Sequence, residues 1–207
     1  MLLVDAYVRP KNEEEINKIF ELEARFGYKA VGIDKQYEGS SDERIITFPV
    51  RVVSGRNEAE AKEVLRECKK GELVISKPND PGSLRVFSRD TRAHIVEISP
   101  KLVHLMDRNQ AELLKVGKSF IGFSLSSLID DPKMFWWLSF LLNYSMKYNI
   151  DLVIFSGASR FEELVHPKTT LNLLIQAGSP KEIAFKIMDG NKLLKILGIM
   201  DFAVEKR

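Results

Sequence analysis

The chain has 207 residues, of which 44% are apolar, so it has enough apolar residues for one substantial core, and we predict a single domain over residues 1–207. The longest apolar run, residues 134–142, is interrupted by Ser139 and is too short to span a bilayer, so we expect no membrane association and a cytoplasmic location. The single cysteine, Cys68, excludes an internal disulfide, and the net charge of +2 does not by itself identify a nucleic-acid-binding protein.

Seven segments of strand length are rich in Val, Ile and Phe, and segments of helical period separate most of them. The predicted strands are residues 2–8, 28–34, 44–53, 72–77, 93–99, 119–125 and 151–158. The predicted helices are residues 12–26, 57–69, 83–89, 109–116, 133–148, 180–188 and 191–197, and a short apolar segment follows at residues 199–204.

The alternation of strands and helices predicts a parallel sheet, and the nearly continuous apolar strands indicate burial on both faces. A closed barrel and an open doubly wound sheet both fit this pattern. No strand is followed by a Gly-x-Gly-x-x-Gly or Walker-type lysine loop, so neither a dinucleotide nor a nucleoside triphosphate is indicated, and we predict no cofactor.

Positive charge is concentrated downstream in the chain. Residues 1–67 contain 11 Lys and Arg against 14 Asp and Glu, whereas residues 68–207 contain 20 against 15. The densest stretch, residues 69–118, has 10 basic and 6 acidic residues and includes Arg85, Arg89 and Arg92. A solvated surface of ion pairs and a surface that binds an anionic partner are both compatible with this distribution.

Several blocks in the downstream part of the chain occur in the order of a known family. They are GFSLSSLI at 122–129, LVIFSGA at 152–158, HPKTTLNLLIQAGSP at 166–180 and NKLLKILG at 191–198, and SLRVFSRD at 83–90 fits as well. In these blocks the chain resembles the archaeal ribonuclease P protein component 3 family over about residues 72–198, and the first 60 residues match only in layout.

The resemblance implies an α/β fold, a TIM-barrel-like (βα) barrel related to the polymerase and histidinol phosphatase domain, with extra C-terminal helices. It also implies a role in the ribonucleoprotein that removes 5′ leaders from precursor tRNA. In that family the RNA carries the chemistry, so the chain is expected to act as a subunit of an endoribonuclease holoenzyme and not to be catalytic alone. The implied partners are ribonuclease P RNA, a small ferredoxin-like subunit, other ribonuclease P proteins and, indirectly, precursor tRNA.

A metal-dependent phosphoesterase of the related fold needs several His and Asp ligands at the carboxyl ends of the strands. The first predicted strand ends in Asp5-x-Tyr7-x-Arg9, where an Asp-x-His-x-His run is wanted, and the seventh is followed by Ser159 and Arg160. Cationic side chains at these places would repel metals. We therefore predict no metal site and no catalytic residue, and Asp5 is the only acidic residue expected at a strand end beside a possible site.

Arginine at the strand ends suits phosphate oxygens, because guanidinium groups pair with them bidentately. We predict that Arg85, in the block that resembles the family, and Lys168, just past a His-Pro turn, contact RNA. Both are expected at helix starts, with Lys168 at the carboxyl end of the seventh strand, where free N–H groups also favour anions. The further predicted RNA contacts are Arg89, Arg92, Lys101, Arg108 and Arg160.

The segment MFWWLSFLLNYSMKY at 134–148 has apolar residues on every side of a helix. Burial on two sides is therefore expected, either under the C-terminal helices of the same chain, which we favour, or against another subunit. The residues that would meet a partner are Trp136, Trp137 and Phe140. Three functions are carried forward: an RNA-binding subunit of ribonuclease P, a metal-dependent phosphoesterase with unusual ligands, and a protein-interaction barrel without RNA.

Overall fold

A computed structural model describes residues 1–37 and 43–199 of the chain. The strands are β1 (Val4–Val8), β2 (Ala30–Asp34), β3 (Ile46–Gly55), β4 (Leu73–Pro78), β5 (Ile95–Glu97), β6 (Phe120–Ser124) and β7 (Leu152–Phe155). The helices are α1 (Glu13–Phe26), α2 (Glu58–Arg66), α3 (Pro81–Arg89), α4 (Arg108–Gly117), α5 (Ser126–Asp130), α6 (Met134–Tyr148), α7 (Pro167–Gln176), α8 (Lys181–Met188) and α9 (Asn191–Leu197). The predicted apolar segment at 199–204 lies outside the described residues from residue 200 onward.

The seven strands form one parallel sheet in the order β1 to β7. Two backbone hydrogen bonds join its first and last strands, from Gly157 N to Tyr7 O at 2.9 Å and from Arg9 N to Ala158 O at 2.8 Å. The sheet is therefore a nearly closed barrel with helices around it, which confirms the TIM-barrel-like prediction and excludes the open doubly wound sheet. All seven predicted strands are present, each shorter or shifted by a few residues.

Alternate residues of each strand point into and out of the barrel. On β2, Ala30 contributes to the barrel interior, whereas Val31 and Ile33 pack outward against α1. Gly32 faces inward, and a Cβ there would overlap the Ala6 carbonyl oxygen and the side chain of Val50, so the narrow interior requires glycine. A larger core lies between the sheet and α2, α3, α4 and α6.

One end of the barrel, which we call the base, contains the amino ends of the strands and is plugged by α9. Leu193 and Leu194 of this helix belong to the interior cluster that includes Val4 and Phe120. The segment before β1 holds the start of this helix in place, because Leu2 N donates to Asp189 Oδ1 at 2.9 Å and Gly190 N donates to Leu2 O at 2.8 Å. The opposite end, which we call the mouth, contains the carboxyl ends of the strands.

The outer wall is built differently between β2 and β3. In the described part of this connection there is only one short 3₁₀ turn, Lys35–Tyr37. Here Glu72 accepts from Lys35 Nζ at 2.7 Å and from Arg51 Nε at 2.9 Å. Burial opposes ionisation of Glu72, but these bonds and one from the Lys69 backbone lower its pKa to about 2. An ion-pair cluster therefore covers part of this wall.

Helix starts follow ordinary capping rules, since Asn12, Asn57, Asp80 and Asp107 each accept a backbone N–H from the first turn. No helix within residues 1–37 or 43–199 is long and apolar enough to cross a membrane.

Candidate nucleic-acid interface

The mouth carries an aromatic and acidic pair beside an arginine. Tyr7, at the end of β1, donates its hydroxyl to Asp34 Oδ1 at 3.0 Å, and Asp34 ends β2. Burial raises the pKa of Asp34 and outweighs the opposing effects of the Tyr7 bond and of Arg9. Burial and the charge of Asp34 raise the pKa of Tyr7, so its hydroxyl stays protonated and acts as a donor.

The opposite side of the mouth is a polar cleft of about 240 Å³. Lys77, near the end of β4, lies 2.8 Å from Glu97 Oε2 at the end of β5, and the Glu97 side chain is only 19% exposed. Asn79, Ser99, Ser124 and Ser127 complete the polar lining. The charges of this cleft are therefore neutralised by a pair that the protein supplies itself.

The prediction that Asp5 is the only acidic residue at a strand end is wrong, because Asp34 and Glu97 occupy such ends. Asp5 lies in the middle of β1 and is buried. Its Oδ1 accepts from Ser156 N at 3.0 Å and from Tyr7 N at 3.2 Å. Its side chain interacts with the buried Glu23 of α1, and each carboxyl retains one oxygen without a partner in the described structure. Asp5 is thus a buried structural residue of the wall.

The residues of the mouth do not fit a catalytic metal. Asp34 is bonded to Tyr7 and Glu97 is paired with Lys77. Across residues 1–37 and 43–199, no three His, Cys, Asp or Glu side chains are arranged to hold an ion. Two histidines have structural roles: His94 Nδ1 accepts from Val74 N at 2.9 Å, and His166 Nδ1 accepts from Lys168 N at 3.1 Å.

Arg85 and Arg89 lie one helical turn apart on α3, and both are exposed. The expectation that Arg85 is at a helix start is wrong, because α3 begins at Pro81 with Asp80 as its N-cap, which places Arg85 in the middle of the helix. Arg89 is 3.6 Å from Glu58, a long and exposed ion pair, and Arg85 has no ion pair with any described residue. The two guanidinium groups therefore form an outward-facing pair.

The other predicted RNA contacts differ in whether their side chains already form ion pairs within the protein. Arg92 makes a bidentate contact with Asp90 and also donates to the Leu65 carbonyl, and Arg160 pairs with Glu163 at 3.0 Å. Lys101, in the 3₁₀ turn Pro100–Leu105, and Arg108, the first residue of α4, are exposed and have no ion pair with a described residue.

The predicted position of Lys168 is wrong. After β7 the chain returns along α1 toward the base: Phe161 N donates to Glu15 Oε2 at 3.0 Å, and the His166 ring lies 4.8 Å from that of Phe26, the last residue of α1. Lys168 is exposed near the start of α7 at the base, and not at the carboxyl end of β7. Because α3 lies beside α2 and α4, Lys168 and Arg85 do not form one patch.

The aromatic residues of α6 divide between core and surface. Trp137 is 1% exposed and its Nε1 donates to Ile98 O at 3.0 Å, so its assignment to a partner interface is wrong. Trp136 is 50% exposed. Phe140 is partly buried and stacks on Trp137 with centroids 5.0 Å apart. Packing within the chain is confirmed for much of α6, since Leu174 and Ala184 from the C-terminal helices join the same core.

Sequence reasoning missed Lys77 and Glu97. Their register was available in the sequence, because each lies at the end of an apolar strand and the ends of neighbouring parallel strands meet at one edge. It also missed four lysines at the base, which belong to two separate segments, the end of α4 and α9, that only the closed barrel brings together.

The chain is similar to known proteins in structure and not in sequence. No protein-family model matches the sequence, and no curated protein matches it. Among solved structures, a chain of archaeal ribonuclease P in a cryo-EM structure with mature tRNA is similar with a TM-score of 0.73 and 14% identity, over 96% of this chain and 91% of that one.

Two further structures share the fold at lower similarity. Histidinol phosphate phosphatase from Lactococcus lactis subsp. lactis Il1403, complexed with zinc, histidinol and phosphate, has a TM-score of 0.54 and 13% identity over 86% of this chain and 94% of that one. An uncharacterized protein has a TM-score of 0.56 and 10% identity over 95% and 74%. The chain therefore has the fold of a protein found in archaeal ribonuclease P, a fold that a zinc-containing phosphatase also has.

Proposed function

We propose that this chain is an RNA-binding protein subunit of ribonuclease P that braces the catalytic RNA during removal of 5′ leaders from precursor tRNA. The observation that carries the proposal is the nearly end-to-end structural similarity to a chain of archaeal ribonuclease P, which covers 96% of this chain. The sequence blocks that resemble the same family support the proposal independently of the structure; they are residues 83–90, 122–129, 152–158, 166–180 and 191–198.

The residues offered to RNA are first Arg85 and Arg89. Both are exposed and lie one helical turn apart on α3; Arg89 has only a long, exposed ion pair with Glu58 at 3.6 Å, and Arg85 has none with a described residue. Guanidinium groups of this kind bind phosphate oxygens and position RNA without reading its bases. Lys101, Arg108 and Lys168 are weaker candidates on other parts of the surface, and Arg92 and Arg160 are weaker still because carboxylates already occupy them.

The proposed protein partner is a small ferredoxin-like subunit, and Trp136 is its proposed contact. An exposed tryptophan at 50% is typical of an interface anchor, and Ile129, 51% exposed, is a second exposed apolar side chain in the neighbouring helix α5. Phe140 is partly buried and stacks on Trp137, so it is a lesser contact in this proposal. Residues 1–207 act as one domain in this proposal, in the cytoplasm, and the isolated chain does not cleave RNA.

The test is a salt titration of binding to ribonuclease P RNA. Each phosphate contact contributes about 0.7 to the slope of log K against log salt for a single strand and about 0.9 for a duplex. The variant Arg85→Ala/Arg89→Ala is therefore expected to lower the slope by about 1.4 to 1.8 while the melting temperature is unchanged. The matched control, Arg25→Ala/Lys181→Ala, removes the same charge from α1 and α8.

Three results would contradict the proposal. If the affinity for ribonuclease P RNA did not fall with rising salt, the chain would make no phosphate contacts, and a protein-interaction barrel without RNA would be indicated. Hydrolysis of a phosphomonoester by the isolated chain with stoichiometric bound metal would indicate a phosphoesterase. An equal change of slope in the control and in the α3 variant would remove the assignment of Arg85 and Arg89.

A further inference from the structure

A second group of cations lies at the base, beside the carboxyl end of α3. The last turn of α3 contacts the end of α4 so closely that a Cβ at Gly117 would overlap the Ser88 carbonyl oxygen and crowd the backbone of Arg89. Lys118 follows Gly117 directly and adopts a left-handed conformation with φ 55°. The two helix ends therefore place Lys118 beside the base end of α3.

Lys118 lines a cleft of about 480 Å³ at the base. The cleft lies between the end of α4, the amino ends of β6 and β7, and α9. Four lysines surround it, and one carboxylate, Asp151, faces them. Leu114, Phe120, Ile150 and Ile196 provide its apolar lining. The lysines are Lys115, Lys118, Lys192 and Lys195.

Two of these lysines are neutralised and two are not. Lys192 Nζ contacts both oxygens of Asp151 at 2.8 Å, and Lys115 Nζ lies 3.1 Å from Glu112. Lys118 and Lys195 are exposed and form no ion pair with any residue in 1–37 or 43–199. Among the described residues, these two positive charges of the cleft therefore have no carboxylate partner.

Helix ends offer a simpler explanation for these lysines, since cations favour the carboxyl ends of helices. At this base, however, backbone N–H groups already cap those ends: Lys118 N donates to the carbonyls of Leu114 and Lys115, and Gly198 N to those of Leu194 and Lys195. The ammonium groups of Lys118 and Lys195 make no hydrogen bond to these carbonyls in the described structure. They remain available to an anion in solution.

We propose that the lysine cleft binds the phosphodiester backbone of RNA and continues the α3 surface into one track around the base. This basic track consists of Arg85, Arg89, Lys115, Lys118, Lys192 and Lys195. The proposal rests on the proposed function, and it adds where the RNA runs: from α3 across the end of α4 to α9. It also assigns α9 two roles, as plug of the barrel and as RNA contact.

The composition of the cleft favours RNA over an acidic protein. Lysine is depleted from the centres of protein interfaces, where aromatic and arginine anchors dominate. The only strongly exposed apolar side chain of the lining is Ile196 at 44%, and Phe120 is 6% exposed. Hydrated ammonium groups on flexible stems instead suit a polyanion that is held by charge and not by shape.

The first experiment compares Lys118→Ala/Lys195→Ala with wild type in the same salt titration against ribonuclease P RNA. The expected result is a slope lower by about 1.4 to 1.8, with an unchanged melting temperature because both side chains are exposed. Arg25→Ala/Lys181→Ala is again the matched control. Combining the lysine and α3 variants is expected to lower the slope by the sum of the two effects.

The second experiment locates the RNA directly. In a Cys68→Ser background, Ile196→Cys provides a single attachment point for an iron chelate at the cleft, and Glu21→Cys provides one on α1. Hydroxyl radicals from the cleft are expected to cut the RNA at a discrete set of nucleotides, and those from α1 to cut it weakly or not at all.

The outcomes separate this proposal from the proposed function. If wild type binds RNA with a salt-dependent affinity but the lysine variant has an unaltered slope, the cleft is not an RNA site and the proposed function stands. Equal cutting of the RNA from both attachment points would also contradict the assignment of the cleft as an RNA site. If the lysine variant loses binding to an acidic polyglutamate peptide and not to RNA, the occupant is an acidic protein segment. Absence of salt-dependent RNA binding by wild type overturns the proposed function itself.

Discussion

The clefts at the two ends of the barrel differ in whether their charges are paired. At the mouth, Lys77 is paired with Glu97 and the Tyr7 hydroxyl is bonded to Asp34. At the base, Lys118 and Lys195 have no such partner in the described structure. In barrels of this kind the mouth is usually the functional end and the base serves stability. Here the lysines without a described partner line the cleft at the base, so the base cleft, and not the mouth cleft, is the proposed site for a polyanion.

The mouth of this barrel is built as a packed structural end, and Trp137 gives the largest test of that statement. This side chain lines the mouth cleft, is buried, and donates to the Ile98 carbonyl. Trp137→Ala is expected to lower the free energy of unfolding by about 3–5 kcal/mol, measured by chemical denaturation. Trp136→Ala, its exposed neighbour, is expected to change it by about 0.5 kcal/mol or less. Similar losses in both variants would contradict the division of α6 into a core side and a surface side.

The base has a stability role of its own through α9, besides the proposed RNA contact. Leu194 is fully buried in the barrel interior, whereas Ile196 is 44% exposed. Leu194→Ala is expected to cost about 2–5 kcal/mol of unfolding free energy, and Ile196→Ala, on the same helix, well under half of that. If thermal and chemical unfolding showed Leu194→Ala to be neutral, α9 would not plug the barrel.

Lys77 and Glu97 neutralise each other at the mouth, and replacing Lys77 is expected to change the free energy of unfolding by less than the two changes above. Lys77→Met leaves the mostly buried Glu97 carboxylate without its counter-charge, and a loss of about 1–2 kcal/mol in unfolding free energy is expected because Lys77 is itself partly exposed. Adding Glu97→Gln removes the unpaired charge and is expected to restore most of that stability. A double variant less stable than Lys77→Met would show that the pair does not set the charge balance of the mouth.

The smallest expected change in stability is at Asp5 and Glu23, a buried carboxyl pair in the wall between the two ends of the barrel. Burial raises the pKa of both carboxyls, and in Glu23 the charge of Asp5 adds to the effect. A carboxyl whose folded pKa is raised binds its proton more tightly in the folded state, so stability falls as pH rises from the unfolded pKa through the folded one. Glu23→Gln is expected to remove part of this fall and to stabilise the protein by about 1 kcal/mol at pH 8.

The control for this change is Glu21→Gln, an exposed carboxyl paired with Arg25 on the same helix. Urea unfolding at pH 4 and at pH 8 is the measurement. The gain from Glu23→Gln should shrink at pH 4, because a raised folded pKa costs stability only as pH rises above the unfolded pKa, and the control should show no such gain. A gain of equal size at both pH values would contradict the raised pKa of Glu23 as its cause.

Local apolar spacing was sufficient to predict the seven strands and seven of the nine described helices, but it predicted no range for α5 or α7. It failed where a boundary depended on capping: Asp80 and Pro81 start α3 two residues before its first predicted residue, which moves Arg85 from the first turn to the middle. The path of the segment after β7 could not be predicted from local sequence patterns either. Its return along α1 depends on contacts of Phe161 and His166 with residues about 140 positions earlier.

The candidate site was less predictable than the fold for a physical reason. Arg85 and Arg89 share one helix and could be found from spacing alone. Lys118 and Lys195 are 77 residues apart in the chain and meet only because the barrel closes and α9 seals its base. Clusters assembled from different elements have no signature in a single stretch of sequence.

The bonds between Leu2 and residues 189 and 190 have a consequence for the order in which the molecule is made. A ribosome releases the first strand long before the last helix, yet these bonds span nearly the whole chain, and contacts of such separation form slowly. We therefore expect the base of the nascent barrel to stay open, with interior side chains such as Val4 exposed to water, until α9 has been synthesised. Slow translation or a shortage of chaperones is accordingly expected to lower the yield of folded protein and to leave its final stability unchanged.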